Sequence, residues 1–274
     1  MKDESKNPVL LKVSGLRVYP VNSGKLLLRN LCFSIGEGEL VGLLGQSGSG
    51  KSLTALAAAG LLPRSIRAEG SIVLRGHEVI GSAERALNTI RGRDISIVFQ
   101  EPASALDPLM KIGRQIALPL KKHSGLRGAK LRDRVHSLLE EVRLTEIRRI
   151  AASLPGEISG GQRQRAAIAL ALAASPRLLI ADEPTSSADA QIQKQLIELI
   201  QDTAKIRGMA VLFISHDIAA VQKIAKRILV MKDGCIVEAG DTGDIINNPQ
   251  HEYTKLLLSC TRELERAIKR AGQP

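Results

Sequence analysis

Residues Glu39–Ser52 read ELVGLLGQSGSGKS, a short apolar run closed by a glycine-rich loop that ends in lysine and serine. The run has the near-continuous hydrophobicity of a strand buried on both faces. From Gly45 to Ser52 the loop fits G-x-x-x-x-G-K-[ST] at every fixed position. LTALAAAGLL follows (Leu53–Leu62), a helix-compatible stretch. Strand, loop and helix in this order form the setting in which glycines turn backbone N–H groups inward around a phosphate. The start of the new helix adds the positive end of its dipole. A plain glycine turn with a chance Lys-Ser is the competing reading, and the strand–loop–helix context weighs against it.

On the phosphate reading, Gly45, Gln46, Ser47, Gly48, Ser49, Gly50, Lys51, Ser52 and Leu53 line the anion. Lys51 reaches the outer phosphates, and the Ser52 hydroxyl is a ligand for Mg²⁺. The other half of a metal site should be a carboxylate at the end of a second buried strand. Arg177–Asp182 (RLLIAD) supplies it, with Glu183 next in sequence. Asp182 would hold the cation through water, and Glu183 would orient and polarise an attacking water. Two carboxylates after a strand can also be a simple helix N-cap, a weaker reading with the phosphate loop upstream.

Outward from these two strands the chain reads as α/β. Met209–Ser215 (MAVLFIS) is a third buried run followed by a helix-like segment. VLLKVSGLRVYP and LLLRNLCFSI alternate more loosely and suggest an antiparallel layer near the N-terminus. Ser71–Gly76 and Ile95–Gln100 add strands, and Arg227–Gly240 reads as a hairpin turning at Asp233-Gly234. Between Glu101 and Arg165 the pattern becomes helical. Leu131, Val135, Leu138, Leu139 and Val142 form one apolar stripe with charges opposite. The expected fold is therefore a mostly parallel core sheet (1–100 and 166–245), an N-terminal antiparallel β layer, and an inserted helical subdomain (101–165). The chain returns from the insertion through an Ala-rich helix beginning near Gln162. A polar, mostly helical tail (246–274) finishes it.

Composition narrows the class. Of 274 residues 44% are hydrophobic, enough for a sizeable core, but only 2% are aromatic. That argues against the stacking platforms used to hold single-stranded nucleic acid. A net charge of +11 suggests a polyanionic neighbour without choosing among nucleotide, nucleic acid and anionic lipid. Cys32, Cys235 and Cys260 are far apart and in no metal-binding spacing, which favours a reducing compartment. The polar start MKDESKNP gives no secretory signal, and no apolar stretch approaches the ~20 residues of a membrane span.

At Ile158–Gln162 the chain reads ISGGQ and continues RQRAAIALALAASPRLLIADEPT. Here the sequence resembles the ATP-binding cassette (ABC) ATPases, whose signature LSGGQ lies shortly before the strand ending in Asp-Glu. The resemblance covers nearly the whole chain. It implies ATP and Mg²⁺ as ligands and a P-loop nucleotidase fold. Tyr19, preceding Pro20 in what reads as a loop, sits where the family places an adenine-stacking aromatic. Gln100 matches the glutamine that senses Mg²⁺ and the transport machinery, and His216 in ISHD matches the histidine that contacts the γ-phosphate. Ser159, Gly160, Gly161 and Gln162 would face the γ-phosphate held by a second cassette, since family members pair head to tail around ATP. The resemblance thus assigns Glu183, His216, Lys51 and Gln100 to catalysis, and Ser52, Gln100 and Asp182 to the metal. Two departures stand out. Ile158 replaces the signature Leu, and Ser186-Ser187-Ala188-Asp189 replaces the usual SALD, keeping Asp189 but losing a Leu at the dimer contact.

Within the family an importer subunit is expected. There is one cassette with no fused membrane segment. Asn247–Ser259 (NNPQHEYTKLLLS) looks like the NPxHPYTxxLL stretch of peptide- and nickel-importer ATPases, with Glu252 in place of Pro. The shorter tail, without a cysteine-rich extension, is closer to the nickel-type subunits. The resemblance implies a second ATPase subunit, identical or different, two transmembrane permeases and an extracytoplasmic solute-binding protein. It places the chain peripherally on the cytoplasmic face of the bacterial inner membrane and implies no nucleic-acid partner. Lys121, Lys122, Arg127, Lys130, Arg132 and Arg134 either face anionic headgroups or form a solvated helix face. The rival reading is a soluble ABC ATPase acting on nucleic acid, whose hydrolysis would be DNA- or RNA-stimulated and strongly salt-dependent. A P-loop kinase would leave SGGQ and His216 unexplained, and a non-enzymatic nucleotide-binding regulator is disfavoured by the intact Glu183.

Overall fold

The computed structural model describes residues 7–100, 105–184 and 190–260. In chain order the strands and helices open with β1 (Val9–Pro20), β2 (Leu28–Gly36), β3 (Leu40–Leu44), α1 (Lys51–Ala58), β4 (Ile66–Leu74) and β5 (His77–Glu78). Next come α2 (Glu84–Ile90), β6 (Ile95–Val98), α3 (Ile112–Ser124), α4 (Gly128–Glu141), α5 (Ile147–Ala152), α6 (Gly160–Leu172) and β7 (Leu178–Asp182). The last are α7 (Ala190–Arg207), β8 (Ala210–Ser215), α8 (Ile218–Ile224), β9 (Arg227–Lys232), β10 (Cys235–Asp241), α9 (Thr242–Asn247) and a helical stretch over 252–260.

Two sheets result. The antiparallel one runs β2-β1-β4-β5, and the other runs β10-β9-β3-β8-β7-β6. In the second, every neighbouring pair is parallel except β9 with β10. That exception is the expected hairpin. Asp233 and Gly234 have φ of 48° and 77°, the double left-handed turn whose twist matches the strands it joins.

The apolar strands are buried on both faces, and their alternation sorts side chains between two cores. In β8, Val211 and Phe213 enter one core, while Ala210, Leu212 and Ile214 enter the other. The first core joins one face of the parallel sheet to α3–α8; the second joins the opposite face to α1, α2 and the antiparallel sheet. Each fully buried branched or aromatic side chain contributes roughly 1.5–3 kcal/mol of transfer free energy. The predicted stripe on α4 is buried throughout, and its residues share a core with Leu179 and Val211 of the sheet. Helical insertion and sheet are thus continuous in their packing, and α6 itself runs across position 165. Lys121, Lys122, Arg127, Lys130 and Arg132 are exposed, and Arg134 is half-buried with a hydrogen bond to Ser137.

Tyr19 is placed differently from the loop expected. It pairs with Arg67 near the end of β1, and Pro20 closes that strand opposite Ile66. Proline is tolerated there because a terminal strand position need not donate to the ladder. The helix α2 had no sequence signal of its own. Its seven residues are shorter than the window in which helical periodicity becomes legible.

Candidate active site

The C-terminal ends of β3 and β7 lie in one sheet with only β8 between them. This brings Gly45–Ser52 beside Asp182 and Glu183. The loop is folded as its glycines require. Gly50 has φ of 105°, and a Cβ there would lie 2.5 Å from Leu28 Cδ2. A Cβ on Gly45 would collide with the Met231 carbonyl oxygen and lie 2.8 Å from Ser49 Oγ. Only glycine satisfies both positions.

Lys51, 4% exposed, opens α1 and bends back over the loop. Its Nζ donates to the carbonyls of Gly45 (2.8 Å) and Gln46 (3.0 Å) and stands 3.7 Å from Glu183 Oε1. Burial pulls its pKa below the usual lysine value, while Glu183 and Asp182 pull the other way. Glu183 is the hub. Its Oε1 also lies 3.2 Å from His216 Nδ1, and its Oε2 accepts from Gln100 Nε2 at 3.3 Å. Three side chains from three separate segments therefore converge on one carboxylate. Its backbone is left-handed (φ 46°) and pinned by an N–H bond to the Ile214 carbonyl of 2.9 Å. For a residue with a Cβ this conformation costs roughly 1–3 kcal/mol, and it turns the carboxylate out of the strand toward Lys51.

Asp182 is 5% exposed, and its Oδ1 has no hydrogen-bond partner among the described residues. Burial pushes its pKa above the ordinary aspartate value; the Ser52 hydroxyl bonds to it and opposes that rise. An orphaned carboxylate oxygen beside a serine hydroxyl, with Gln100 across the cleft, is a hard-oxygen donor set that fits Mg²⁺. Ser49 Oγ is likewise buried without a partner among the described residues.

Beside them lies a cavity of about 740 Å³, whose lining includes Lys51, Ser52 and Glu183 but not Asp182. Gln46, Ser47, Gly48, Gly50, Lys51, Ser52, Gln100, Glu183 and His216 form its polar part, and Leu27, Leu53, Leu256 and Leu257 its apolar part. Gly45 and Ser49 shape the loop from behind. Tyr19 is not on the lining. Its hydroxyl donates to Glu69 Oε1 at 2.7 Å, and that bond chiefly raises its pKa. Ser159, Gly160, Gly161 and Gln162 are not on the lining either. They open α6 through a reciprocal cap, the Gln162 N–H donating to Ser159 Oγ (3.2 Å) and the Ser159 N–H to Gln162 Oε1 (3.0 Å). Buried Gln164, one turn further, donates through Nε2 to the Pro184 carbonyl and ties α6 to the loop that carries Glu183. Asp189, with Ser186, Ser187 and Ala188, lies outside the described residues. Sequence reasoning missed Leu27, Leu256, Leu257 and Cys260, which also borders the cavity. The 247–259 stretch resembles a motif of importer ATPases, a likeness that carries no information about where it packs.

Comparison with known proteins bears on the family and the fold. Residues 28–186 match the family model described as ABC transporter, and 237–274 match the oligopeptide/dipeptide transporter C-terminal region. A peptidoglycan transport ATP-binding protein of Agrobacterium fabrum is 41% identical over 278 residues, covering 100% of this chain and 51% of that protein. The chain thus spans about half of that relative. A probable D,D-dipeptide transport ATP-binding protein of Escherichia coli is 41% identical over 238 residues, covering 86% of this chain and 73% of that one. Among solved structures, a dimeric post-hydrolysis state of an ATP-binding cassette bound to ADP and Pi superposes with a TM-score of 0.75 at 29% identity. The match covers 85% of this chain and 98% of that chain.

Proposed function

The chain belongs to the ABC transporter family as an ATP-hydrolysing subunit of an import system, and from that premise we propose how its residues work and what it serves. The observation that carries the reading is the convergence of Lys51, Gln100 and His216 on Glu183, beside the phosphate loop and the orphaned Asp182 oxygen. Backbone N–H groups from Ser47 to Leu53 hold the phosphates of ATP, the Gln46 N–H being taken by the Tyr253 hydroxyl, and the buried Lys51 ammonium neutralises the outer ones. Ser52, Asp182 and Gln100 would hold Mg²⁺, which would supply charge neutralisation to the phosphates when bound. Glu183 orients the attacking water and takes its proton as the water oxygen bonds to the γ-phosphorus. The bond from that phosphorus to the bridging oxygen breaks, giving ADP and phosphate. His216, half-exposed beside Glu183, donates to the transferred phosphoryl group.

The missing contribution comes from a partner. Ser159–Gln162 open α6 and are not on the cavity lining; their helix N-terminus meets the γ-phosphate bound by a second ATPase subunit. Asp189, which lies outside the described residues, is assigned to the same contact by the family resemblance alone. Residues 1–100 and 166–245 form the ATP-binding core, 101–165 the helical part, and 246–274 the tail. Two permeases and an extracytoplasmic solute-binding protein complete the assembly. The chain sits peripherally on the cytoplasmic face of the bacterial inner membrane, in keeping with the lack of any helix, among the described residues, long and apolar enough to cross a membrane. The cargo is a peptide. This is supported by the name of the D,D-dipeptide relative and by the match at 237–274; nickel has no such support.

Glu183→Gln tests the reading. Its expected phenotype is an ATPase kcat lowered by about 10²–10⁴-fold, with ATP affinity preserved and an ATP-dependent dimer visible by light scattering. Hydrolysis at the native rate would remove Glu183 as the base.

A further inference from the structure

The C-terminal stretch that resembles a family tail reaches back across the whole chain to the phosphate loop. The backbone N–H of Gln46, second residue of that loop, donates to the Tyr253 hydroxyl at 3.2 Å, across 207 positions of sequence. Tyr253 is buried, and the Lys232 ammonium sits 5.1 Å from the centre of its ring. Its own N–H is fixed by His251 Nδ1 at 3.1 Å. One step further back, the Glu238 carboxylate of β10 accepts from the N–H groups of Gln250 (2.7 Å) and His251 (3.1 Å). The tail is therefore clamped at its entry and delivers one phenol to the loop. From the opposite side the β9–β10 turn holds the same loop, the Gly234 N–H donating to the Ser49 carbonyl at 3.0 Å. Beyond Tyr253 the helical stretch 252–260 places Leu256, Leu257 and Cys260 on the cavity lining. Leu256 is 58% exposed there, an apolar side chain at the mouth of a polar pocket.

We propose that residues 250–260 are a working wall of the ATP pocket, with Tyr253 a positioning residue that sets the phosphate loop through the Gln46 amide. The Gln46 N–H points at the phenol and so is spent on holding the loop. Bound nucleotide covers the 256–260 edge, and the tail thereby registers whether the pocket is filled. This inference rests on the reading of the cavity as an ATP site.

The test uses the full chain with Cys32 and Cys235 changed to serine, leaving Cys260 as the one thiol. Alkylation of Cys260 by N-ethylmaleimide is timed by mass spectrometry with and without a non-hydrolysable Mg·ATP analogue, while a fluorescent trinitrophenyl-ATP reports binding separately. With analogue at ten times its Kd, labelling should slow by about tenfold. Tyr253→Phe, which keeps the ring and removes the acceptor, should raise the KM for ATP about fivefold and leave kcat within about twofold, the size of one lost neutral hydrogen bond. A merely structural tyrosine would lower active fraction and kcat and leave KM alone. Unchanged Cys260 labelling while the fluorescent nucleotide saturates would overturn the proposal, as would a native KM in Tyr253→Phe. Failure of the fluorescent nucleotide to bind at all is a different result and would overturn the ATP reading itself.

Discussion

The phosphate loop and the start of α6 are both glycine-bearing helix N-termini, yet the structure finishes one and leaves the other open. Around Gly45–Ser52 several groups are held by other parts of this chain, although Ser49 Oγ has no partner among the described residues. Lys51 is held by two carbonyls, Gln46 by Tyr253, Ser49 by Gly234, and Glu183 by three side chains. At Ser159-Gly160-Gly161 the side-chain bonds among the described residues are those of the helix's own cap, and none of the three lines the cavity. A Cβ at Gly160 or Gly161 would touch nothing within 4 Å. Gly45 and Gly50 of the first loop are demanded by this chain's own packing. Gly160 and Gly161 are not, which leaves room for a second subunit under the proposed pairing.

Gly160→Asp probes that difference most sharply. The added carboxylate meets no atom of this chain and lies in the first turn of a helix, where an anion favours folding by about 0.3–1 kcal/mol. Facing a partner's γ-phosphate it would be a like charge in a dry contact. The expected result is unchanged or slightly raised thermal stability, native affinity for one nucleotide per protomer, and ATPase activity down about 10²-fold, the scale of losing one transition-state donor. If single-site nucleotide affinity fell in step with turnover, the two regions would not be separable, and the open end would belong to this chain's own pocket.

Gln164 joins the two regions, since its Nε2 bonds to the Pro184 carbonyl next to Glu183. Gln164→Leu keeps the volume and strands that carbonyl. Stability should fall by about 1–3 kcal/mol, measured by urea unfolding. The kcat should fall further than the affinity for ATP, because the link carries position and not binding. Equal native turnover would show that α6 and the Glu183 loop are coupled only through the apolar core.

The same contrast explains what could be read from sequence. The phosphate loop and the Asp182-Glu183 pair are contiguous and fixed by local backbone chemistry, so a few letters suffice; SGGQ, read alone as a turn, took its role from the family resemblance. The three buried strands were legible because burial on both faces leaves an unbroken apolar run. Gln100 and His216 needed the family resemblance, since a lone Gln or His after a strand has no distinguishing neighbour. Tyr253 was out of reach. Its partner is a backbone amide 207 residues away, and a main-chain donor leaves no mark in a sequence. Tyr19 shows the reverse limit. The family resemblance implies a stacking role for its ring, while the hydrogen bond of its hydroxyl to Glu69 across the antiparallel sheet is a cross-strand pairing that only the register reveals.

The smallest effect concerns Asp182, and its sign separates a finished site from a fully stabilised one. Burial raises its folded-state pKa above the ordinary value. Between those two values the folded state binds the proton more tightly than the unfolded chain, so stability falls as pH rises through that window and stays lower above it. Asp182→Asn removes the charge and keeps the shape. Without nucleotide or metal at neutral pH, the variant should be more stable than the native chain by about 1 kcal/mol, a melting temperature raised by roughly 2–4 °C. The gain should be complete above the raised pKa and vanish as the pH falls below the ordinary aspartate value of about 3.9. Saturating Mg·ATP should reverse the order, stabilising the native chain and not the variant. A less stable apo variant would mean that Ser52 and Lys51 already satisfy Asp182 within the chain. The carboxylate would then be a structural partner of the loop and not a ligand waiting for a cation.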